Sequence, residues 1–213
     1  MSRETWEIIQ KMEPEDIELQ LAVQCAPLIT GLKASNLLNI SKTGICRLKE
    51  ILRDSGISLY LLKKEGDKIT ALLYDKERLE TYFQEGEVKE LLFATGYEDV
   101  SLRAVLLEFR LRYRTYMESR GHFPHEIGLL LGYPAEDVEG FIKHRGKNYL
   151  CTGYWKVYAN HAGKSETFKR FEYARESLVQ LLSWGMKMEE IIDICRCCSG
   201  KKPRNGNVPD SRQ

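Results

Sequence analysis

Cys25 and His125 are the residues whose types best suit group-transfer chemistry. The thiol stands in Gln24-Cys25-Ala26-Pro27 and the imidazole in His122-Phe123-Pro124-His125-Glu126. A thiol becomes a nucleophile when a neighbouring base takes its proton, and an imidazole commonly serves as that base. Pro124 suits the first turn of a helix, which would place His125 and Glu126 in the same turn. The positive end of a helix disfavours imidazolium, so a ring there could accept a proton or meet an electrophile. The plainer account is that Glu126 complements the helix dipole, His125 bonds to backbone and Cys25 is a small core hydrophobe. Two lysines could steady negative charge. Lys33 lies in Gly31-Leu32-Lys33-Ala34-Ser35-Asn36, and Lys156 in Tyr154-Trp155-Lys156-Val157-Tyr158. Strand alternation would put Tyr154, Lys156 and Tyr158 on one face, lining a polar pocket.

Other patterns carry less. His122 and His125 are separated by a proline and do not form H-E-x-x-H, so no metal site is expected there. Cys195-Arg196-Cys197-Cys198 is thiol-rich but has no second C-x-x-C pair, as zinc and iron–sulfur sites want. The stretch from Ile127 to Ile142 resembles a helix-turn-helix. Glu136, Asp137 and Glu139 would then meet DNA phosphates, so a packed helical corner is the better reading. Arg103, Arg110 and Arg114, near Tyr113 and Tyr116, could bind RNA or a phosphorylated ligand, although solvated helix flanks often look the same. Neither phosphate-loop pattern, G-x-x-x-x-G-K-[ST] or G-x-G-x-x-G, occurs.

Several blocks together carry a resemblance: Cys25-Ala26-Pro27 with Lys33, then Phe123-Pro124-His125-Glu126-Ile127-Gly128, Gly132-Tyr133-Pro134, Glu136-Asp137-Val138, Gly140-Phe141 and Gly153-Tyr154-Trp155-Lys156-Val157-Tyr158. The chain resembles, over about residues 20–185, the bacterial family labelled domain of unknown function 3793 (DUF3793), found largely in anaerobes. That resemblance implies a cytosolic bacterial protein and no particular activity. Core packing alone seldom calls for His, Glu, Lys and Tyr within such blocks. The expectation is therefore that Cys25, Lys33, His125, Glu126, Tyr133 and Lys156 converge on one pocket with the 154–158 segment. The pocket would bind a small anionic metabolite or cofactor of unassigned identity. Lys33, Glu126, Tyr133, Lys156 and Tyr158 would contact it; in a catalytic version Cys25 is the nucleophile and His125 the base. Two alternatives are a non-catalytic protein-interaction or regulatory module, and a thiol-based metal or redox protein. The oligomeric state is open.

Elements must position these residues. The chain has 213 residues, enough for one domain with a real core at 43% hydrophobic content. Its net charge of +1 argues against a dedicated nucleic-acid binder. No signal peptide and no membrane-length apolar run is evident, so a cytoplasmic location with reduced cysteines is expected. Apolar spacing predicts helices over 15–29, where the alternation of Ile17, Leu19, Leu21, Val23 and Cys25 also allows a strand, and over 43–54, 75–83, 87–95, 99–120, 124–131, 134–143, 165–184 and 187–195. Strands are predicted over 57–63, 68–74 and 153–158, the first two joined by a Lys64-Glu65-Gly66-Asp67 turn. The reading is α+β: one domain over 1–198, mostly helical, with one helical layer on a small, mainly antiparallel sheet of about three strands, then a disordered basic tail over 199–213.

Overall fold

The computed structural model describes residues 2–119, 123–198 and 200. The expected disordered tail, apart from Gly200, lies outside the described residues, as do Arg120 and His122. In chain order the elements are α1 (Arg3–Lys11), α2 (Ile17–Ile29), β1 (Ser35–Ser41), α3 (Gly44–Leu52), β2 (Ile57–Glu65), β3 (Lys68–Asp75), α4 (Lys76–Phe83), α5 (Gly86–Ala94), α6 (Leu102–Ser119), α7 (Ile127–Leu130), α8 (Ala135–Lys143), β4 (Cys151–Thr152), β5 (Lys156–Val157), α9 (His161–Ser183) and α10 (Met188–Cys198). The fold is α+β.

A three-stranded antiparallel sheet, ordered β1-β3-β2, lies at the centre, and β4 and β5 pair separately as a small antiparallel hairpin. Side chains alternate across the sheet, so each strand feeds two cores. Leu38 and Ile40 of β1, Leu59 of β2 and Ile69 and Leu73 of β3 pack into one core with α2, α3, α9 and α10. Leu37, Tyr60, Leu62 and Leu72 face the other, with α4 to α8. Helices therefore cover both faces. The single helical layer expected from sequence is corrected: β3 is central, and its Ala71-Leu72-Leu73 run is buried on both sides. Such a strand loses the alternation that would announce a solvated face.

Local chemistry sets the boundaries. The Asp16 side chain accepts the Glu18 N–H at 2.8 Å and starts α2. Asp75 does the same for α4 through the Arg78 N–H at 3.2 Å. Pro27 sits in the last turn of α2, and its carbonyl accepts the N–H of Leu32 at 2.7 Å and of Lys33 at 2.9 Å. The chain is thereby folded back from α2 into β1. The Ser35 hydroxyl then donates to the Leu130 carbonyl, which brings the start of β1 against the α7–α8 corner.

The 153–158 segment departs from expectation. It is not one strand: Gly153 to Trp155 form the turn of the β4–β5 hairpin, and only Lys156 and Val157 are strand. The Gly153 N–H donates to the Trp155 carbonyl at 3.0 Å, so the chain reverses where continuous alternation had been read.

Candidate functional site

The α7–α8 corner and the hairpin face each other across a cleft of about 330 Å³. His125, Tyr133, Phe141, Tyr154, Trp155 and Lys156 are among its lining residues. Three glycines permit the close approach. A Cβ on Gly128 would meet Val138 Cγ2 at 2.7 Å, one on Gly140 would meet Tyr158 Cγ at 2.5 Å, and one on Gly153 would overlap the Phe168 ring. The glycines of the signature blocks thus bring helix, corner and hairpin into contact.

One wall is aromatic. The Tyr133 and Trp155 rings stack with centroids 4.8 Å apart, and Phe168 meets Trp155 edge-on at 4.6 Å. Across the cleft, the Phe141 ring lies 5.2 Å from the His125 ring and 5.7 Å from the Lys156 ammonium. Lys156 donates to the Gly146 carbonyl at 2.7 Å and lies over the Tyr149 ring at 4.7 Å. Burial pushes the Tyr154 hydroxyl up to about 12, so it is a neutral phenol at physiological pH.

Asp137 holds the hairpin in place. Its buried carboxylate accepts the Trp155 indole N–H at 2.7 Å and the backbone N–H groups of Tyr158 at 2.8 Å and Ala159 at 3.2 Å. The Lys164 ammonium stands 3.8 Å away. Sequence reasoning had treated Asp137 as a helix-dipole acid. A usable signal was its place one helical turn before Phe141, on the buried side of α8.

The expected site residues divide. His125, Tyr133 and Lys156 come together in the cleft. Lys33 lies one ring away: its buried ammonium sits over Tyr133, 5.0 Å from the centroid. Glu126 is elsewhere, buried and paired with Arg112 at 3.2 Å, with the Tyr97 hydroxyl donating to it at 3.4 Å. Arg112 also donates to the Thr95 and Gly96 carbonyls at 2.7 and 3.0 Å, so Glu126 fastens the His125 loop to α6 and the end of α5. Tyr158 stacks on His144, ring centroids 5.7 Å apart, and supports α8 from outside the cleft lining.

Cys25 is fully buried in the core formed by α2, α3, α9 and α10 and does not line the cleft with His125. Burial pushes its thiol up to about 12 against the lowering influence of Lys33 and the Asn36 amide, so the thiolate a nucleophile needs is suppressed. The nucleophile expected at Cys25 finds no support in these surroundings. Asn36, which sequence reasoning had not singled out, joins Cys25 and Lys33. Its Nδ2 lies 3.7 Å from Cys25 Sγ, and its Oδ1 accepts from Lys33 Nζ at 3.0 Å.

Among the described residues, no group of three or more His, Cys, Asp or Glu side chains is arranged to hold a metal ion. No helix among them is long and apolar enough to cross a membrane.

Fold and cleft define an α+β protein with an aromatic, lysine-flanked cavity between a helical corner and a hairpin. The family described as "Protein of unknown function (DUF3793)" matches residues 21–192, and the chain belongs to that family. No curated protein and no solved structure matches the chain.

Proposed function

We propose that this protein binds a small, planar, anionic metabolite or cofactor in the cleft lined by His125, Tyr133, Phe141, Trp155 and Lys156. The observation that carries the reading is a charge imbalance. The one buried carboxylate of the cleft, Asp137, is engaged by an indole N–H, two backbone N–H groups and a nearby ammonium. The two ammonium groups beside the aromatic rings, those of Lys33 and Lys156, have no carboxylate partner among the described residues; their polar contacts are an amide oxygen and a carbonyl. Rings supply stacking area, uncompensated cations favour an anion, and His125 offers a donor or acceptor at the mouth. The chemistry supported is binding rather than thiol catalysis, because the Cys25 thiol is held protonated away from the cleft.

Trp155 reports on occupancy. Trp6 and Trp184 are 50% and 70% exposed, so replacing both with Phe leaves Trp155 as the sole indole with little disturbance. Titration with a panel of aromatic carboxylates and phosphates should give saturable quenching. Small molecules released by acid denaturation of the purified protein, read by mass spectrometry, should include an anion at near-stoichiometric amount. A flat titration together with an empty extract would remove the reading.

A further inference from the structure

Lys33 is an unusual residue to bury. Its side chain lies in the interior, and the groups around its ammonium are the Asn36 oxygen at 3.0 Å, the Tyr133 ring at 5.0 Å and the Cys25 thiol. A buried ammonium without a carboxylate is destabilising, and an apolar side chain of the same length would fill the space with less penalty. The group is also held in place. Its backbone N–H is bonded to the Pro27 carbonyl. The Asn36 amide nitrogen is anchored to the Gln24 and Leu37 carbonyls at 2.6 and 2.9 Å, which turns the amide oxygen towards the ammonium. The result is a fixed positive charge set behind the Tyr133 ring, which lines the cleft.

Resting on the binding reading above, we infer that Lys33 is the specificity-determining residue of the cleft, selecting a planar aromatic carboxylate over its uncharged amide without touching either. Lys156 lines the cleft itself but is weaker in effect. Its side chain is less deeply buried than that of Lys33, and its ammonium is turned to the Gly146 carbonyl and laid over Tyr149, where nearby solvent weakens it. Lys33 acts through low-dielectric protein and ring. With an effective dielectric of about 20, a charge one ring removed from the ligand favours an anion by roughly tenfold.

The test is calorimetric titration of the full chain with matched pairs, benzoate against benzamide and nicotinate against nicotinamide. Wild type should bind the acids roughly tenfold tighter than the amides. Lys33→Met should bring acid and amide to nearly equal affinity, with the acid losing far more than the amide, a pattern that general loosening of the site would not give. Lys156→Met should keep most of the preference. The inference is overturned if Lys33→Met retains the preference, or if only Lys156→Met abolishes it. Binding of neither member of any pair by wild type would bring down the cleft reading and this inference together, whereas binding with no acid preference would overturn this inference alone.

Discussion

Lys33 and Cys25 titrate in opposite senses inside the same small cluster. Burial lowers the Lys33 ammonium from its ordinary 10.5 to about 8. The unfolded chain therefore holds this proton more tightly, and the penalty is complete below about pH 8 and vanishes as pH rises towards 10.5. Lys33→Met should accordingly raise stability by about 1–3 kcal/mol at pH 7. Urea denaturation should show this gain shrinking between pH 8 and 10.5. Cys25 does the reverse. Its thiol is raised from 9.0 to about 12, so its contribution to stability is full below pH 9 and lost as pH climbs through 12. Between pH 9 and 10.5 the two trends offset each other. The same burial predicts protection: iodoacetamide at pH 7.5 should modify exposed Cys46, Cys197 and Cys198 first and Cys25 only after denaturation. Rapid native labelling at Cys25, mapped by peptide mass spectrometry, would restore the nucleophile reading.

At the scale of elements, the hairpin has only two residues in each strand and would be marginal alone. Asp137 and Lys164 hold it against α8 and the start of α9. Asp137→Ala would leave one indole and two backbone N–H groups without their acceptor, and should cost about 3–5 kcal/mol. Hydrogen exchange should then speed up around 150–159 while β3 stays protected; uniform loss of protection would mean that the hairpin is no separate unit. Gly140 is the contact point with Tyr158, and Gly140→Ala must move that ring by about an ångström or more, at about 1–3 kcal/mol. Guanidinium denaturation would register the loss, and reduced occupancy of the cleft should accompany it.

On the scale of the whole molecule, two apolar cores share one sheet. Leu21 belongs to one core and Phe109 to the other, and both are fully buried. Truncating either to Ala should cost about 3–5 kcal/mol. Because β1, β2 and β3 contribute side chains to both sides, circular dichroism and tryptophan fluorescence should report one coincident transition in each variant. Separate transitions would mean that the two helical layers unfold independently. The cleft lies at the rim of the second layer, where the α7–α8 corner meets the start of β1 on one side and the hairpin on the other.

Local rules made much of this legible in the sequence. Asp75 capping α4, the Gly66 turn between β2 and β3, and the buried Leu102-Val105-Leu106-Phe109 stripe of α6 all follow from side-chain chemistry within one or two turns of chain. The signature blocks around His125, Tyr133 and Lys156 pointed to three residues that share the cleft. Strand β1 was missed because Leu37 and Leu38 face opposite cores and leave no simple alternation to read. The hairpin turn at Gly153–Trp155 was missed because Tyr154, Lys156 and Tyr158 imitate a strand period. Sequence alone determined most of the element types, the α+β class and a short set of polar residues, since propensity, capping and periodicity act over a few residues. Only the tertiary structure decided which polar residues face the same space: it withdrew Cys25 into the core, assigned Glu126 to Arg112, gave Asp137 to the hairpin and put Lys33 beside Tyr133. Burial and charge pairing depend on contacts between segments far apart in the chain, and a local pattern such as the Asp137–Phe141 spacing marks a buried face without naming its partner.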